Sequence, residues 1–424
     1  MLRTVLFWLH LVAGVVAGTI ILVMSVTGVL LTYEKQVVRW ADMRHLQPLT
    51  APASAHLPVD SLVTLGSAAR GAVPSAVTLR ADPTLPATLV YGREGILLVD
   101  PATGTVLGTG GKTTREFFGG VTGWHRWLAG EGPRRGLYKS VTGAANLAFL
   151  VLILTGLVLW IPKTWTWIRV RSVLWFRSGL STQARDFNWH NVLGIWSAIP
   201  LVVIVSSATV IGYPWASDLV YKLAGETPPP RSAGAPPVAA PPGGERRRGE
   251  GRAAEGSDAL SRRSQAADRA ADGASVAPSE APTRVPLATI TAAAAPLMPD
   301  WKILTVQLPR PDAKSVTVTL DRGTGGQPQH RATATIAAAT GIVEKYAPFD
   351  SLSTGRQLRS VLRFAHTGEV LGITGQTIAG LVSLASVVLV MTGIALAVRR
   401  ADRAITRRRV AKRRSVLEAP APAS

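Results

Sequence analysis

Four long apolar segments dominate the pattern of hydrophobic and polar positions along the chain, at about residues 5–33, 138–162, 190–215 and 370–398. Each is longer than the roughly 20 apolar residues that an α-helix needs to cross a bilayer. The pattern therefore predicts four transmembrane helices. The first segment is too long for the apolar core of a signal peptide and lacks a small-residue cleavage site before Glu34, so we expect it to stay in the membrane.

The two long stretches between these segments have a different pattern. Residues 59–73 and 285–298 each read as a short helix, and each is followed by short runs rich in β-branched residues, such as "ATLVYG" and "GILLVD" in the first and "SVTVTL" and "ATATIA" in the second. Both stretches also contain a Thr-Gly turn, Thr103-Gly104 and Thr340-Gly341. Each stretch thus predicts one helix with a small antiparallel sheet.

The similarity between the two halves extends into the membrane segments. Segments one and three share a histidine followed by small residues at four-residue spacing: His10, Gly14 and Gly18 against His190, Gly194 and Ala198. Segments two and four share "LTGL" and "MTGI". The predicted fold class is a membrane α-helical protein with four transmembrane helices, built as two helix–outer domain–helix repeats with two small α+β outer domains.

Basic residues fix the expected orientation. They cluster in the short loop between segments two and three and in the tail after segment four: Lys163, Arg169, Arg171, Arg177, Arg185, Arg399, Arg400, Arg403, Arg407, Arg408, Arg409, Lys412, Arg413 and Arg414. Basic residues close to span ends mark the cytoplasmic side. Both termini are then cytoplasmic and both small domains lie outside. We expect no nucleic-acid partner, because the net charge of +20 is concentrated beside the membrane.

Composition adds two further constraints. The chain has no cysteine, which excludes disulfides, iron–sulfur clusters and covalently attached c-type haem. The stretch 223–283 is dominated by Pro, Ala, Gly, Ser and Arg, a composition that predicts disorder. The expected organisation is a first transmembrane helix (1–36), a first outer domain (37–118), an interfacial histidine segment with the second transmembrane helix (119–163), a cytoplasmic loop (164–187), the third transmembrane helix (188–222), a disordered outer insert (223–283), a second outer domain (284–356), the fourth transmembrane helix (357–398) and a basic cytoplasmic tail (399–424).

Four of the seven histidines lie at the ends of the predicted spans. On the predicted topology His10 and His190 are near the cytoplasmic face, whereas His125 and His366 are near the outer face. Each face thus receives one histidine from each repeat, which predicts two metal centres stacked across the membrane. Two axial imidazoles facing each other across a flat apolar disc suit a b-type haem in a helix bundle.

Other interpretations of these residues remain open. A histidine at an interface can simply bond a headgroup or a backbone carbonyl, and glycines at four-residue spacing often serve helix packing. A bare four-histidine zinc site is disfavoured because the two pairs lie at opposite ends of the spans. Around the outer pair, Trp124, Arg126, Trp127 and Arg363 could contact haem propionates or an anionic substrate, or could anchor the protein at the membrane interface.

The segments "LFWLHLVAGVVAGTIILVMSVTGVLL", "GWHRWLAGEG", "DFNWHNVLGIW" and "FAHTGEVLGITG" resemble the PepSY-associated transmembrane family, iron-regulated inner-membrane proteins of bacteria. The outer "ILLVDPATGTVLG" resembles the end of a PepSY domain. The resemblance covers nearly all of the chain except the insert and the tail. It implies a bacterial inner-membrane location, PepSY-like outer domains, two haem b groups, and His10, His125, His190 and His366 as the axial ligands of the haem iron.

The resemblance also implies an activity, the transfer of electrons across the inner membrane to a periplasmic ferric siderophore or other iron chelate. No NAD or flavin fingerprint is visible, so the electron donor would be a quinol, a reduced flavin or a reductase protein. The alternatives are a membrane-anchored PepSY binding or regulatory module without redox activity, and a transporter of the chelate. The transporter is disfavoured because the spans lack intramembrane charges.

Overall fold

The computed structural model describes residues 1–46, 49, 52, 56–162, 164–230, 284–310 and 312–417. Its α-helices are α1 (Leu2–Leu31), α2 (Glu34–Met43), α3 (Val59–Arg70), α4 (Lys112–Trp127), α5 (Arg135–Trp160), α6 (Trp167–Leu174), α7 (Thr182–Gly212), α8 (Pro214–Leu223), α9 (Leu287–Ala294), α10 (Thr354–His366) and α11 (Gly372–Leu417). Its strands are β1 (Ala76–Arg80), β2 (Ala87–Val90), β3 (Ile96–Val99), β4 (Val106–Gly108), β5 (Ile303–Gln307), β6 (Ser315–Asp321), β7 (Arg331–Ala337) and β8 (Val343–Pro348).

Helices α1, α5, α7 and α11 form a four-helix bundle, and all four are long and apolar enough to cross a membrane, which confirms the predicted four spans. Helix α1 packs against α5 and α11, and α7 packs against the same two helices. Helices α1 and α7 are therefore diagonal neighbours that face each other across the bundle axis. Large side chains such as Val16 and Ile199 point outward, at 75% and 80% exposure, as lipid-facing residues do.

Helix α11 is longer than the pattern predicted. It continues past Val398 to Leu417, through the first part of the basic tail. That part is rich in Ala and Arg and has no Pro or Gly, so nothing in it interrupts the helix once the span has nucleated it. The predicted insert lies largely outside the described residues, since 231–283 are not among them.

The two predicted sheets form one antiparallel sheet, in the strand order β4-β3-β2-β1-β5-β6-β7-β8. They join where β1 pairs with β5, with Thr78 opposite Thr305 and their hydroxyl oxygens 3.1 Å apart. Strand β1 was not predicted from the sequence. An isolated four-stranded sheet would expose β1 or β5 as an unpaired edge, and their pairing removes both edges.

The two faces of this sheet differ. Helices α3 and α9 cover an apolar face, whose core includes Val77, Leu89 and Val318. The opposite face carries a row of directly paired threonines across five strands: Thr88, Thr78, Thr305, Thr319 and Thr333. Arg331 projects from this threonine side and lies 5.8 Å from the ring of Phe364 in α10. The polar face of the sheet is thus turned toward the helices that adjoin the bundle.

A carboxylate from the first half of the chain caps a helix of the second half. Asp60 in α3 accepts hydrogen bonds from the backbone N–H groups of Leu287 and Ala288, both at 2.8 Å. These are N–H groups in the first turn of α9, which have no partner within the helix. Asp60 therefore couples the two helices that cover the sheet.

Replacement of Asp60 by Ala should leave these N–H groups without their acceptor and lower stability by about 1 kcal/mol, the usual loss for a helix-capping side chain. The measurement is the thermal unfolding midpoint of the detergent-purified protein. Asp312→Ala, in an exposed loop of the same domain, is the charge-matched control and should leave the midpoint unchanged. Equal midpoints for wild type and Asp60→Ala would contradict the coupling.

Candidate functional site

The structure brings His10 and His190 together at the end of the bundle remote from the sheet. His10 lies on α1 and His190 on the diagonal helix α7. Their ring centroids are 6.3 Å apart with an interplanar angle of 86°. We call these two residues the distal pair. The two halves of the chain contribute one histidine each.

His125 and His366 form a second pair at the end of the bundle nearest the sheet, which we call the sheet-side pair. Their ring centroids are 6.1 Å apart and their planes are inclined by 54°. These histidines are not on the spans themselves. They are in the last turns of the short helices α4 and α10, which pack against α1 and α7 respectively and lead into the following spans.

Each histidine is held at Nδ1 by an oxygen of another helix. Nδ1 of His10 lies 2.9 Å from Thr155 Oγ1, and Nδ1 of His125 lies 3.0 Å from Thr27 Oγ1. Nδ1 of His190 contacts both the Leu389 carbonyl and Thr392 Oγ1, at 3.1 Å each. Nδ1 of His366 lies 3.0 Å from the Ile204 carbonyl. The lengths are those of ordinary hydrogen bonds.

These contacts determine which ring nitrogen carries the proton. The hydroxyls of Thr27, Thr155 and Thr392 each donate to the carbonyl four residues earlier, at 2.6–2.7 Å. Each hydroxyl proton is thereby committed, so the threonine oxygen can only accept from the histidine. A carbonyl can only accept as well. All four imidazoles therefore donate from Nδ1–H, which leaves an unprotonated lone pair on Nε2.

The four Nε2 atoms are the remaining ligand atoms of the two pairs. Within the described ranges the hydrogen bonds of all four rings are made at Nδ1, and none is made at Nε2. A metal bound between two imidazole nitrogens at about 2 Å from each would separate the ring centroids by about 6 Å. The observed separations of 6.3 and 6.1 Å match that requirement. In their separation both pairs would suit a group held by two imidazoles, such as a b-type haem.

Each pair offers two ligands and no more. Among the described residues there is no group of three or more His, Cys, Asp or Glu side chains that could hold a metal ion. A group that supplies its own equatorial donors, such as a porphyrin, suits two opposed imidazoles better than a bare ion does, because structural zinc requires four protein ligands.

The threonines are functional candidates that the sequence reasoning missed. Each of the three belongs to a Thr-Gly dipeptide within a span: Thr27-Gly28, Thr155-Gly156 and Thr392-Gly393. A Cβ on Gly156 or Gly393 would lie 3.3 Å from Cε1 of His10 or His190, so the glycine leaves room for the ring that its neighbour binds. The recurrence of Thr-Gly in three apolar segments was the available signal.

The glycines that follow His10 and His190 have a different environment. A Cβ on Gly14 would contact the side chain of Leu152, one on Gly18 would contact Ile394, and one on Gly194 would contact Leu389. Ala198 is buried. In the structure these small residues lie at contacts between helices, which is the helix-packing alternative that the sequence left open.

The two pairs are separated along the bundle. Thr27, which binds the sheet-side pair, follows His10 of the distal pair by 17 positions on the same helix. At 1.5 Å per residue this corresponds to ~25 Å along the axis, comparable to the ~30 Å hydrocarbon thickness of a bilayer. The pairs therefore lie toward opposite faces of a membrane that contains the bundle.

The residues predicted around the outer pair, Trp124, Arg126, Trp127 and Arg363, lie on α4 and α10, the helices that carry the sheet-side pair. Trp127 is buried beneath the guanidinium groups of Arg126 and Arg135, at 5.0 and 4.0 Å from its ring, whereas Trp124 is 51% exposed. Arg363 lies 5.8 Å from the Phe364 ring. Burial, with the neighbouring His366, lowers the pKa of His125 to about 4, so the imidazole is neutral at pH 7, the form that binds metals.

Comparison with known proteins identifies a family that covers most of the chain. The family described as PepSY-associated TM region matches residues 7–400 of the chain. This range contains α5, α7, the eight-stranded sheet and the four histidines of the two pairs, and it includes α1 and α11 except for the first residues of α1 and the C-terminal part of α11. No curated protein matches the chain.

The helix that carries His366 is anchored at its other end by a carboxylate. Glu226 accepts hydrogen bonds from the backbone N–H of Gly355, at 2.9 Å, and from the hydroxyl of Ser353, at 2.7 Å. These bonds, the Gly355 bond first, lower the pKa of the Glu226 carboxyl. The anionic carboxylate also interacts favourably with the positive end of the helix dipole.

Glu226→Gln should lower the thermal unfolding midpoint at neutral pH, because the amide is a weaker, uncharged acceptor. A lowered pKa means that the stabilisation is fully present above the ordinary glutamate pKa and is lost as pH falls through the lowered value in the folded state. The difference in midpoint between wild type and variant should therefore shrink between pH 7 and pH 3.5. Glu344→Gln, an exposed glutamate in β8, should show no difference at either pH. A constant difference across this range would contradict the assignment.

Proposed function

The chain belongs to the PepSY-associated TM region family, and we propose that it is a di-haem oxidoreductase of the bacterial inner membrane that passes electrons to a periplasmic ferric siderophore, reducing Fe(III) to Fe(II) with release of the iron. The observation that carries the proposal is the pair of opposed imidazoles at each end of one bundle, each fixed at Nδ1 with Nε2 as the remaining ligand atom. In this proposal both termini are cytoplasmic and the sheet is periplasmic.

His10 and His190 would hold one haem b, and His125 and His366 the other. Each bound haem would supply a reversible one-electron Fe(III)/Fe(II) couple. The protein residues contribute ligand orientation: because every Nδ1–H is bonded to an oxygen of a second helix, rotation of a ring would break a buried hydrogen bond. A hydrogen bond at Nδ1 also makes Nε2 a stronger electron donor to a bound metal, which would favour the ferric state of the haem iron.

The interior of the bundle between the two histidine pairs supports a path for electrons that is insulated from water and ions. Polar groups there are bonded to one another, as in the contacts of Asn146 with the Val205 carbonyl and Thr209, and of Ser386 with Ser25. Phe149 packs between two apolar clusters that include Ile21 of α1 and Val205 of α7. The described span residues between the two pairs include no Asp, Glu, Lys or Arg. A low-dielectric interior of this kind disfavours entry of protons and ions while permitting electron transfer between fixed centres.

Outer-sphere reduction of a chelate requires no acid–base residue at the iron. It requires one electron for each Fe(III), supplied on the cytoplasmic side by a quinol, a reduced flavin or a reductase protein. Fe(II) is bound more weakly than Fe(III) by hard oxygen donors, so reduction would loosen the chelate and release the iron. A membrane-anchored binding module without redox activity is the competing function, and it requires no haem at either pair.

The first test is the haem content of the protein purified from cells supplied with haem precursor. We expect two haem b groups per chain by pyridine haemochrome assay, and one in each of His10→Ala and His125→Ala. His45→Ala, an exposed histidine outside both pairs, is the control and should retain two. Wild-type protein without haem would refute the proposal in favour of the binding module, and two haems in His125→Ala would refute the assignment of ligands.

The threonine contacts give a second test. Thr155→Val removes the acceptor of the His10 Nδ1–H with little change in side-chain volume. Loss of that bond should raise the midpoint potential of the distal haem by up to about 60 mV, since a hydrogen bond of about 1.4 kcal/mol corresponds to 59 mV in a one-electron couple. Thr155→Ser keeps the hydroxyl and should keep the potential. Redox titration followed in the visible spectrum measures both variants, and identical shifts in the two would show that the hydroxyl has no such role.

A further inference from the structure

Cationic side chains from several elements converge beside the sheet-side pair. Lys35 of α2, Arg331 of β7 and Arg363 of α10 each lie 5.8 Å from the ring of Phe364, two residues before His366. Arg359 lies one helical turn before Arg363 on the same side of α10. Positive charges from three elements therefore lie around the buried ring of Phe364, close in the chain to His366 of the sheet-side pair.

Only part of this positive charge is matched by carboxylates. Lys35 pairs with Glu369 at 2.6 Å, and Arg331 pairs with the buried Asp321 at 3.4 Å. Arg359 donates to the hydroxyl of Ser217 at 2.8 Å. Within the described residues, no carboxylate lies within ion-pair distance of Arg359 or Arg363.

The unmatched charge has an energetic cost. Two arginines four positions apart on one helix face repel each other. Burial lowers the pKa of Arg363, and so do the nearby Arg126, Arg359 and Arg331, while Glu369 opposes them. Arg126 also adjoins His125 in the chain. A bound anion would offset this repulsion, and a planar guanidinium is the group best suited to a carboxylate, which it binds through two parallel hydrogen bonds.

We propose that Arg359 and Arg363, with Arg126 and Arg331 beside them, form a binding site for a carboxylate group adjacent to the sheet-side histidine pair. The carboxylate has two possible sources, a propionate of a haem held by that pair or a soluble polycarboxylate chelate. The first source rests on the proposed function. The second does not require any haem to be present.

The site can be tested on the full-length protein in detergent with citrate as the probe, at constant ionic strength set with chloride. Citrate affinity is measured by calorimetric titration, and haem content and the midpoint potentials of the bound haems are measured in the same preparations. The variants are Arg359→Gln and Arg363→Gln. Arg322→Gln, 49% exposed on the β6–β7 connection and outside the cluster, is the matched control.

A soluble source predicts saturable citrate binding by the wild type, weakened roughly tenfold by either α10 variant and unchanged by the control, as loss of one charge-assisted hydrogen bond implies. A propionate source predicts no citrate binding, with loss of one haem or a shifted potential in Arg363→Gln and not in the control. Either result supports the site. If the variants match the control in every measurement, the site is refuted.

The same experiment separates this proposal from the proposed function. If the wild type contains no haem, the di-haem function fails and the citrate titration alone decides the carboxylate site. If the wild type contains two haems but neither variant differs from the control, the di-haem function stands and the carboxylate site fails.

Discussion

The hydrogen bond between each histidine Nδ1 and an oxygen of another helix is the interaction on which the organisation of the bundle depends. It satisfies a polar group that would be costly to bury in an apolar environment, and it fixes both the tautomer and the direction of the ring. His10 is tied to α5 and His190 to α11. Each distal contact therefore joins two adjacent helices of the bundle, and it leaves Nε2 as the nitrogen available to a ligand-binding role.

The repeat explains how four helices produce two such sites. Helix α1 supplies a histidine at one end and an acceptor, Thr27, at the other. Helix α7 does the same with His190 and the carbonyl of Ile204. The second repeat has Ser207 where the first has Thr27, and the Ser207 hydroxyl donates to the Ile204 carbonyl instead of accepting from His366. The residue differs, yet the neighbouring helix still provides an oxygen acceptor.

Much of this arrangement could be predicted from the sequence, because it depends on signals within single segments. The lengths of the four apolar segments predicted the four spans. The duplicated spacing of histidines and small residues indicated which histidines would lie near the same face of the membrane. Contacts between segments that are far apart in the chain could not be predicted from patterns within single segments. The pairing of β1 with β5 joins residues about 230 positions apart, with Ala76 opposite Gln307, and the role of Thr155 depends on the position of α1. The length of α11 was missed because charge, which ends a membrane span, does not end a helix.

The two ends of the bundle differ in a way that bears on the side from which a substrate would approach. The distal pair lies on the spans α1 and α7, and the salt bridge of Asp186 with Arg399, at 2.6 Å, lies one turn from His190. The sheet-side pair is carried by short helices in contact with the sheet, and Arg331 links the polar sheet face to α10 through Phe364. Under the proposed function, a ferric chelate would approach the second pair from the side of the sheet. Because the rings of both pairs are fixed from outside the pairs themselves, such a molecule could dock there without changing the geometry of the distal centre.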